Sequence, residues 1–554
     1  MTPVLQPDST ASPGPWRPLR NPTFRDLLAS NLVSDVGTFM QSVGAAWLMT
    51  SLTSSPLYIA LIQTATALPF FLLALPAGSL GDIFDRRKLI LSTEIWMLGV
   101  AIVLTAATVF GVMTPWLLLL LTLGLSIGDA VESPSWRAIF PELVNKEDLP
   151  AALALNGIEF NLARALGPGL GGFIVAAVGV GAAFSFNALS FLGVIAVIAR
   201  WKRPTRKSTL PLETFRGATF AAVRYVRYSP GIRILLFRSA VLIFFTSSFW
   251  ALLPMAAKDI SKSPITYGFL LGFFGLGAVM GAMVLQRTRS RISSETLLSA
   301  ATATFAGIVL SMALLRSPVI LCFLMLLGGA SWTSVMSLFN IIVQELAPDW
   351  VRARVLAVYL FAFQGSVAFG STLWGYVALH TGVHKTLVLA AIGTGACLFL
   401  QFLFRLPAVP ANHSTWNHWA KPTTFEEPDP GEGPVLVTVK YVIDPSKASE
   451  FLSEIHKYQR VRRRDGATSW GVFVDTEAPD TYLESFLVDS WAEHERQHDR
   501  FTVADRQIEN QVLGYAIQPV EVEHFIYARE GRSPSLPQDR PVSSADQRGG
   551  RRLN

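Results

Sequence analysis

The sequence contains little cysteine and little charge. Cys322 and Cys397 are the only cysteines among 554 residues, so the chain has neither a disulfide framework nor a cysteine-based metal site. Charged residues amount to 16%, against about 25% in soluble domains, which argues against one large soluble enzyme. The sequence also lacks a Gly-x-x-x-x-Gly-Lys-Ser/Thr loop, which binds nucleotide phosphates in ATP-driven proteins. We therefore expect no enzymatic activity, no cofactor and no bound metal.

Apolar residues are abundant and are grouped in long runs. They make up 51% of the chain, in runs of about 20 residues, the length that crosses a bilayer as a helix. Short turns at 51–56 and 111–115 make the neighbouring helices antiparallel. The pattern predicts an all-α polytopic membrane protein with twelve transmembrane helices. The predicted spans are 26–51, 57–79, 89–111, 115–137, 150–178, 181–200, 231–257, 266–286, 296–314, 317–338, 353–379 and 385–405.

Basic residues in the loops predict the orientation of these spans. Residues 1–420 carry 29 Lys and Arg against 17 Asp and Glu, whereas residues 421–554 carry 17 against 23. The basic residues of the first part lie in short loops, which is typical of membrane topology rather than of nucleic-acid binding. Because Lys and Arg accumulate on the cytoplasmic side, we expect both termini in the cytosol and the protein in the cell (inner) membrane. The predicted cytoplasmic loops contain Arg86, Arg87, Lys88, Arg137, Lys146, the basic linker from Arg200 to Arg233, Arg287, Arg289, Arg291, Arg352 and Arg354.

The two halves of the helical region repeat each other. Identical residues recur at one constant offset of 203 positions in several separated segments, which is hard to obtain by chance. Two parallel repeats of six helices enclose a binding site between the halves, near the bilayer midplane. The repeat therefore favours a transporter over a bundle with no transport role. The matching pairs include Gly78 and Gly281, Arg86 and Arg289, Glu142 and Glu345, Gly167 and Gly370, and Gly172 and Gly375.

A loop motif follows the second predicted span. It reads GSLGDIFDRRK over residues 78–88, and its small residues allow helices to approach closely. Accumulation of basic residues in cytoplasmic loops explains its arginines but not its aspartate or its glycines. The motif resembles the loop signature of the major facilitator superfamily, and the resemblance covers residues 21–405. It implies a conformational latch that holds the cytoplasmic faces of the two halves together, formed by Gly78, Asp82, Arg86 and Arg87.

A second motif lies in the fifth span. Residues 161–172 read NLARALGPGLGG, in which a proline kinks the helix and glycines permit tight packing. The motif resembles the fifth-helix signature of antiporter-type exporters. Together with PELV at 141–144, it is similar to the branch that contains the enterobactin exporter and macrolide efflux proteins, the transmembrane secretion effector family. The resemblance implies a helix-packing exporter motif formed by Gly167, Pro168, Gly171 and Gly172.

Ionisable residues inside the spans are the candidate functional groups. A charge at the centre of a membrane helix costs about 2.5–3.5 kcal/mol, yet five carboxylates lie within the predicted spans, all in the first half. They form a buried ion-pair network that fixes helix packing, or one of them carries the proton that drives export. Arg164 needs a partner, for which Asp129, Glu132 and Asp35 are candidates. The proton-coupling or ion-pair candidates are Asp35, Asp129, Glu132, Glu159 and Arg164, and Glu94 is the fifth carboxylate.

A soluble domain follows the helical region. Strand and helix patterns in the order βαββαβ predict a small ferredoxin-like α+β fold, which resembles the dimeric α+β barrel of antibiotic-biosynthesis monooxygenases. That resemblance implies self-association through this domain. One predicted helix, from Trp491 to Tyr515, carries Glu493, His494, Gln497 and His498 on one face. They are an acid–base or metal group, or the solvated face of a helix, and we expect the solvated face.

These observations divide the chain into seven segments. They are a cytoplasmic tail (1–20), a six-helix bundle (21–200), a cytoplasmic linker (201–230), a second six-helix bundle (231–410), a linker (411–432), the cytoplasmic α+β domain (433–530) and a disordered tail (531–554).

The predicted function is secondary active transport. We expect a small organic molecule, such as a drug, a siderophore or a metabolite, to leave the cytosol by proton antiport with alternating access. The expected partners are this substrate, the proton and the lipid bilayer. The alternative is a membrane-anchored enzyme or sensor that acts through its C-terminal domain.

Overall fold

The computed structural model describes residues 14–83, 85–201, 215–406, 416 and 428–528, except for the side chains of 74–83 and 215–220. The predicted tail 531–554 lies outside this description. The chain forms two compact units, Met1–Ser414 and Thr415–Asn554. The boundary between them falls within the predicted linker 411–432.

The first unit is helical. Eleven helices among the described residues are long and apolar enough to cross a membrane. The first long helix has 31 residues but also carries Arg25, Asp26 and Asp35, which make it more polar than the others. In chain order the helices are α1 (Pro22–Leu52), α2 (Pro56–Ile83), α3 (Arg86–Val109), α4 (Pro115–Leu143), α5 (Leu149–Ala177), α6 (Val180–Arg200), α7 (Phe215–Tyr228), α8 (Pro230–Ile260), α9 (Pro264–Arg289), α10 (Ser294–Leu314), α11 (Pro318–Leu346), α12 (Asp349–Thr381) and α13 (Val383–Leu403).

Proline and capping side chains fix where the helices begin. Helices α1, α4, α5, α8, α9 and α11 carry proline in their first turn, where the missing N–H breaks no helical hydrogen bond. The side-chain oxygen of Asn21 accepts hydrogen bonds from the backbone N–H groups of Thr23 and Phe24 at the start of α1. Such caps satisfy the donors that a helix N-terminus leaves unpaired.

Helix α7 is an element that the sequence did not predict. It lies inside the predicted linker 201–230 and packs on the second half of the unit. The Tyr225 hydroxyl donates to the Leu346 carbonyl oxygen at 3.1 Å, and its ring meets Trp350 edge to face at 5.7 Å between centroids. Its alternation of apolar and basic residues over only 14 residues is too short to be predicted as a membrane span.

Two ion pairs confirm the internal repeat. The Arg86 Nη1 lies 2.9 Å from the Glu142 Oε1, and Arg289 pairs with Glu345 in the same way. Both members of the second pair follow those of the first by 203 positions. Helices α1–α6 and α8–α13 are therefore equivalent halves. We call the side of the unit where α1 begins and α13 ends the terminal side, and the other the opposite side.

The second unit is a small α+β domain with four antiparallel strands in the order β2-β3-β1-β4. This order confirms the ferredoxin-like topology. The elements are β1 (Val435–Val442), α14 (Ala448–Asp465), β2 (Ser469–Val474), β3 (Thr481–Val488), α15 (Trp491–Arg500), α16 (Val503–Leu513) and β4 (Glu521–Ile526).

The single helix predicted from Trp491 to Tyr515 is wrong. It is broken at Phe501 and Thr502, because Thr502 starts a new helix. The Thr502 side chain accepts a hydrogen bond from the Asp505 backbone N–H, and the Asp505 carboxylate accepts one from the Thr502 backbone N–H. This reciprocal capping box is a strong start signal, and Phe501 is buried beside it.

Candidate functional site

The candidate site lies inside the first half of the helical unit. Asp35 on α1, Glu94 on α3, Asp129 and Glu132 on α4, and Glu159 on α5 belong to one electrostatic group, since Asp35 and Glu94 each interact with Asp129 and Glu132. No ion pair connects any of these five carboxylates to a basic side chain within the described residues. The structure thus brings the predicted acids together without neutralising them.

The first carboxyl pair joins α1 to α5. The Asp35 and Glu159 carboxyl groups lie within hydrogen-bonding reach of each other. The Asn31 Nδ2 donates to the Glu159 Oε2 at 3.1 Å and lies 3.4 Å from the Asp35 Oδ2. Asn31 stands four residues before Asp35, so both project from one face of α1. A single amide therefore holds both acids in place.

The second carboxyl pair joins α3 to α4. The Glu94 and Glu132 carboxyl groups also lie within hydrogen-bonding reach of each other, and the Thr93 hydroxyl donates to the Glu132 Oε2 at 2.8 Å. Glu94 and Glu132 are both buried. One oxygen of Glu94 has no hydrogen-bond partner. A proton shared between the two carboxyl groups would satisfy this pair.

Asp129 lies between the two pairs. It precedes Glu132 by three residues on α4, so the two acids share a helix face. Its side chain is exposed, and Asp35 is half-buried. Both interact with the buried acids around them. These two acids are the accessible members of the group.

Arg164 stands apart from the acids. It lies on α5, five residues beyond Glu159, and is half-buried. Asp129, Glu132 and Asp35 were the expected partners, but the Arg164 guanidinium forms no ion pair or hydrogen bond with them in the structure. Arg164 is therefore paired with none of its three expected partners in the structure.

The two arginines of the predicted latch bind within the first half. Arg86 pairs with Glu142 and donates to the Ala138 carbonyl at 3.3 Å. Arg87 donates to the Ile198 and Ala199 carbonyls at 3.0 and 2.6 Å. These bonds tie the start of α3 to the ends of α4 and α6 on the terminal side. The side chains of Gly78 and Asp82, the other members of the latch, lie outside the described residues.

The glycines of the fifth-helix motif face two different neighbours. A Cβ added to Gly167 would lie 2.5 Å from the Phe39 Cβ, and one added to Gly171 would lie 2.8 Å from the Met40 Cα, so both positions face α1. Gly172 faces the other half instead, because a Cβ there would lie 2.5 Å from the Cα of Gly268. Pro168, in the interior of α5, is buried.

The two halves contact each other on the opposite side. The Lys258 ammonium donates to the Thr50 carbonyl oxygen, and Trp47 stacks on Tyr267 at 6.4 Å between ring centroids. Nearer the middle of the unit, the Thr64 and Thr372 hydroxyls share a hydrogen bond of 2.9 Å. The glycine contact between α5 and α9 lies in the same region.

The C-terminal domain contains a histidine cluster. The prediction that Glu493, His494, Gln497 and His498 form a solvated face is wrong for His494, which is only 3% exposed. The Nε2 atoms of His494 and His498 lie 3.3 Å apart, and the ring of His524 on β4 lies 4.7 Å from that of His494. Arg500 binds Glu493 at 2.5 Å. No group of three or more metal-ligating side chains with metal-binding geometry occurs among the described residues.

Burial controls the protonation of these histidines. It lowers the pKa of His494 to about 3, and the neighbouring His498 and His524 lower it further. Burial also lowers the pKa of His498 and of His524. All three rings are therefore neutral at pH 7. Protonation would place unpaired positive charge inside the domain.

Three supporting residues were missed by the sequence analysis. Asn31 and Thr93 hold the two carboxyl pairs, and His524 completes the histidine cluster. The position of Asn31, one turn before Asp35, was a usable signal. Thr93 and His524 approach their partners only through the packing of α3 on α4 and of β4 on β1, which sequence spacing does not reveal.

The fold and the site define a class of protein. The helical unit consists of two equivalent six-helix halves that contact each other, and one half contains a group of acids. Two such halves are the architecture of a secondary transporter. The chain belongs to the transmembrane secretion effector family, a branch of the major facilitator superfamily, which it matches over residues 13–532. It is a multi-pass membrane transporter that exports small molecules, and the family and its relatives are transporters rather than enzymes.

Several curated relatives are similar to the chain. They are the staphyloferrin A transporter of Staphylococcus aureus (23% identity, 68% of this chain and 94% of the relative), the multidrug efflux pump Tap of Mycolicibacterium fortuitum (26%, 66% and 91%) and the enterobactin exporter EntS of Salmonella typhimurium (25%, 70% and 95%). Their matches span 384, 388 and 404 residues, close to the length of the helical unit. About a third of this chain therefore has no counterpart in them.

Solved structures share the helical fold. A bacterial homologue of the human lysosomal transporter Spinster, in an inward-facing and unoccupied conformation, superposes with a TM-score of 0.56 at 14% identity and covers 70% of this chain and 97% of its own. The nucleoside transporter NupG gives a TM-score of 0.58 at 12% identity and covers 69% and 100%. At these identities the likeness shows the fold alone.

Proposed function

We propose that the protein exports a small organic molecule from the cytosol by proton antiport with alternating access. The observation that carries the proposal is the group of five acids, none of which forms an ion pair with a basic side chain among the described residues; only Asp129 is attracted by a more distant base, Arg137. Two carboxyl groups side by side do not both ionise at low cost, so each pair retains a shared proton that it can release. Arg164, five residues beyond Glu159 on α5, is a charge that could replace the released proton if it moved towards the acids.

Alternating access requires contacts between the halves that can open. The contacts on the opposite side include glycine contacts, one hydroxyl pair and one lysine, and none of these is an ion pair. The proposed cycle opens this side while the latch at Gly78, Asp82, Arg86 and Arg87 closes the terminal side. We place the terminal side, and with it both chain termini, in the cytosol because of the basic loops. A reporter fused after Arg405 should be active only in the cytosol, and activity outside the membrane would reverse this orientation.

Export by inverted membrane vesicles tests the coupling. Asp35→Asn and Glu132→Gln should abolish proton-driven export while a substrate still binds, because an amide cannot take up or release the proton. Asp26→Asn is the matched control, since Asp26 lies on the same helix but pairs with Arg25 at the exposed end. Export that keeps its pH dependence in both Asp35→Asn and Glu132→Gln would show that the coupling site lies elsewhere.

We also propose that the C-terminal domain self-associates. The face of its sheet that α14–α16 leave uncovered carries Phe473, Leu483 and Phe525, which are 58%, 37% and 49% exposed. A second copy of the sheet would cover this apolar surface. Phe525→Glu should lower the yield of cross-linked dimer of the full-length protein. An unchanged yield would show that this face is not the dimer contact.

A further inference from the structure

The three histidines of the C-terminal domain lie outside the proposed export site. His494 and His498 are four residues apart on α15, so their side chains share one face of the helix. His524 belongs to β4, and its ring lies 4.7 Å from that of His494 between centroids. A helix and a strand thus hold three imidazole rings side by side, and the proposed export mechanism uses none of them.

The innermost of the three rings has an unsatisfied nitrogen. His494 is only 3% exposed, and its Nδ1 has no hydrogen-bond partner among the described residues. A buried polar atom without a partner costs free energy, and most such atoms in proteins bind a protein group, a water molecule or an ion. This orphaned nitrogen is therefore an observation, independent of the spacing of the rings, that points to a ligand.

The two rings of α15 present their Nε2 atoms at the spacing that one metal ion requires. The Nε2 atoms of His494 and His498 lie 3.3 Å apart. Two imidazole nitrogens that bind a tetrahedral ion at about 2.0–2.1 Å are about 3.3–3.4 Å from each other. A hydrogen bond between the two rings fits the same distance, and it is the alternative that an experiment has to exclude.

The surroundings suit a transition-metal ion. Metal-binding histidines must be neutral, and burial keeps all three rings neutral at pH 7 because it lowers the pKa of each. Imidazole binds zinc, copper and nickel, whereas magnesium and calcium prefer carboxylate oxygens. The nearby charges already have partners, since Glu493 pairs with Arg500 at 2.5 Å and Arg462 pairs with Glu484 at 3.1 Å.

We propose that His494 and His498 bind one divalent transition-metal ion, such as Zn²⁺, through their Nε2 atoms. No group of three ligands with metal-binding geometry occurs among the described residues, so the third ligand is His524 once its ring has turned towards the ion, and water completes the site. Gln497 lies within hydrogen-bonding reach of His494 and accepts the proton that a metal at Nε2 leaves on Nδ1. The ion joins β4 to α15 and stabilises the domain.

Zinc binding by the purified full-length protein tests this site. The protein carries an affinity tag without histidine, is stripped of metal with a chelator and is dialysed in detergent against buffered Zn²⁺ with excess Mg²⁺. We expect one Zn²⁺ per chain. His498→Gln and His524→Gln, two changes at half-buried positions, should each weaken binding roughly tenfold or more, because even an outer partner of a metal ligand contributes about 10–100-fold to affinity.

Two control variants test whether other histidines bind the ion. His456→Gln changes an exposed histidine of α14, and His384→Gln removes one member of the other histidine pair with a spacing of four residues, His380 and His384. Both variants should keep the affinity of the wild type. Loss of the bound Zn²⁺ in His384→Gln would place the ion in the helical unit and overturn the proposed site.

Hydrogen exchange separates loss of the metal from loss of the fold. Zn²⁺ should slow exchange in α15 of the wild type at pH 7 and have no effect on α15 of His498→Gln, which should be as protected as the metal-free wild type. Absence of zinc binding by the wild type, or binding that survives the double variant His494→Gln/His498→Gln, would overturn the proposal and leave the two rings hydrogen-bonded to each other. None of these measurements involves transport, so such a result would leave the export proposal intact.

Discussion

At the scale of single residues, ionisable side chains in unusual surroundings carry most of the proposed mechanism. The acids of the membrane unit are held by neighbours that cannot neutralise them, namely Asn31 and Thr93. Those of the C-terminal domain behave differently, because Arg464 lies 2.7 Å from Asp505 and 2.8 Å from Asp465. The contrast separates the acids proposed to change their protonation from groups that stabilise a fold.

Asp82 supplies the negative charge of the proposed latch. Asp82→Asn should slow export while the protein inserts normally, because the amide removes the negative charge that the family resemblance assigns to the closing loop. The rate of export by vesicles, normalised to the amount of folded protein, measures it. Leu285 occupies the equivalent position in the second half but is buried, so Asp26→Asn, the same change at an exposed carboxylate of α1, is the control and should have little effect. Normal transport by Asp82→Asn would remove Asp82 from the latch.

The histidine cluster gives a prediction about pH. His494 has a pKa of about 3 in the folded domain and an ordinary value of about 6.5 when unfolded. The unfolded chain therefore takes up a proton first as the pH falls, and folding stability decreases from about pH 6.5 downwards. At pH 5 the titration of His494 alone lowers the free energy of unfolding by about 2 kcal/mol. His494→Gln removes that titration.

Hydrogen exchange within α15 of the full-length protein measures this loss. Wild-type protection, corrected for intrinsic exchange, should fall more steeply between pH 7 and pH 5 than protection in His494→Gln. His456→Gln, a change at an exposed histidine of α14, should follow the wild type. Equal slopes for wild type and His494→Gln would show that His494 does not control the stability of this helix.

At the scale of elements, small residues decide how the two halves meet. Gly172 and Gly268 bring α5 and α9 into backbone contact, which a side chain at either position would prevent. Gly172→Ala should therefore keep the opposite side from closing and reduce export strongly, with normal insertion. Gly169→Ala is the matched control on the same helix, since a Cβ there meets nothing within 4 Å.

A single cysteine is introduced near Thr50 in a protein that lacks Cys322 and Cys397. Its rate of labelling measures how far the opposite side is closed. Gly172→Ala should label faster than the parent protein, and Gly169→Ala should label at the parent rate. If both variants label alike and both export normally, the crossing of α5 and α9 is not part of the moving contact.

Much of the element structure could be predicted from the sequence, and the exceptions have physical causes. Long apolar runs gave the membrane helices because a bilayer enforces helix length. The break between α15 and α16 was missed because the amphipathic pattern continues across it, although the Thr502–Asp505 capping signal was present. The acids were found because charge is rare in spans. The pairing of these acids could not be predicted, since it depends on how α1 packs on α5 and how α3 packs on α4.

At the scale of the whole molecule, the chain combines a complete transporter unit with an additional domain. The curated relatives match about two thirds of it, whereas the family match extends to residue 532. Truncation after Leu406 should leave at least partial export, because the helices and the acidic group lie before this point. Export by cells that produce the truncated chain measures it. Complete loss, with normal insertion, would favour the alternative of an enzyme or sensor that works through the C-terminal domain.

The central claim is that substrate leaves in exchange for protons at the acids of the first half. The most direct measurement is the pH inside proteoliposomes that contain the purified protein, followed with a trapped dye as an exported compound is added outside. Proton antiport predicts that substrate uptake drives proton movement in the other direction at a fixed ratio, which Asp35→Asn or Glu132→Gln abolishes and Asp26→Asn preserves. Substrate movement with no change in internal pH, in the wild-type protein, would contradict it.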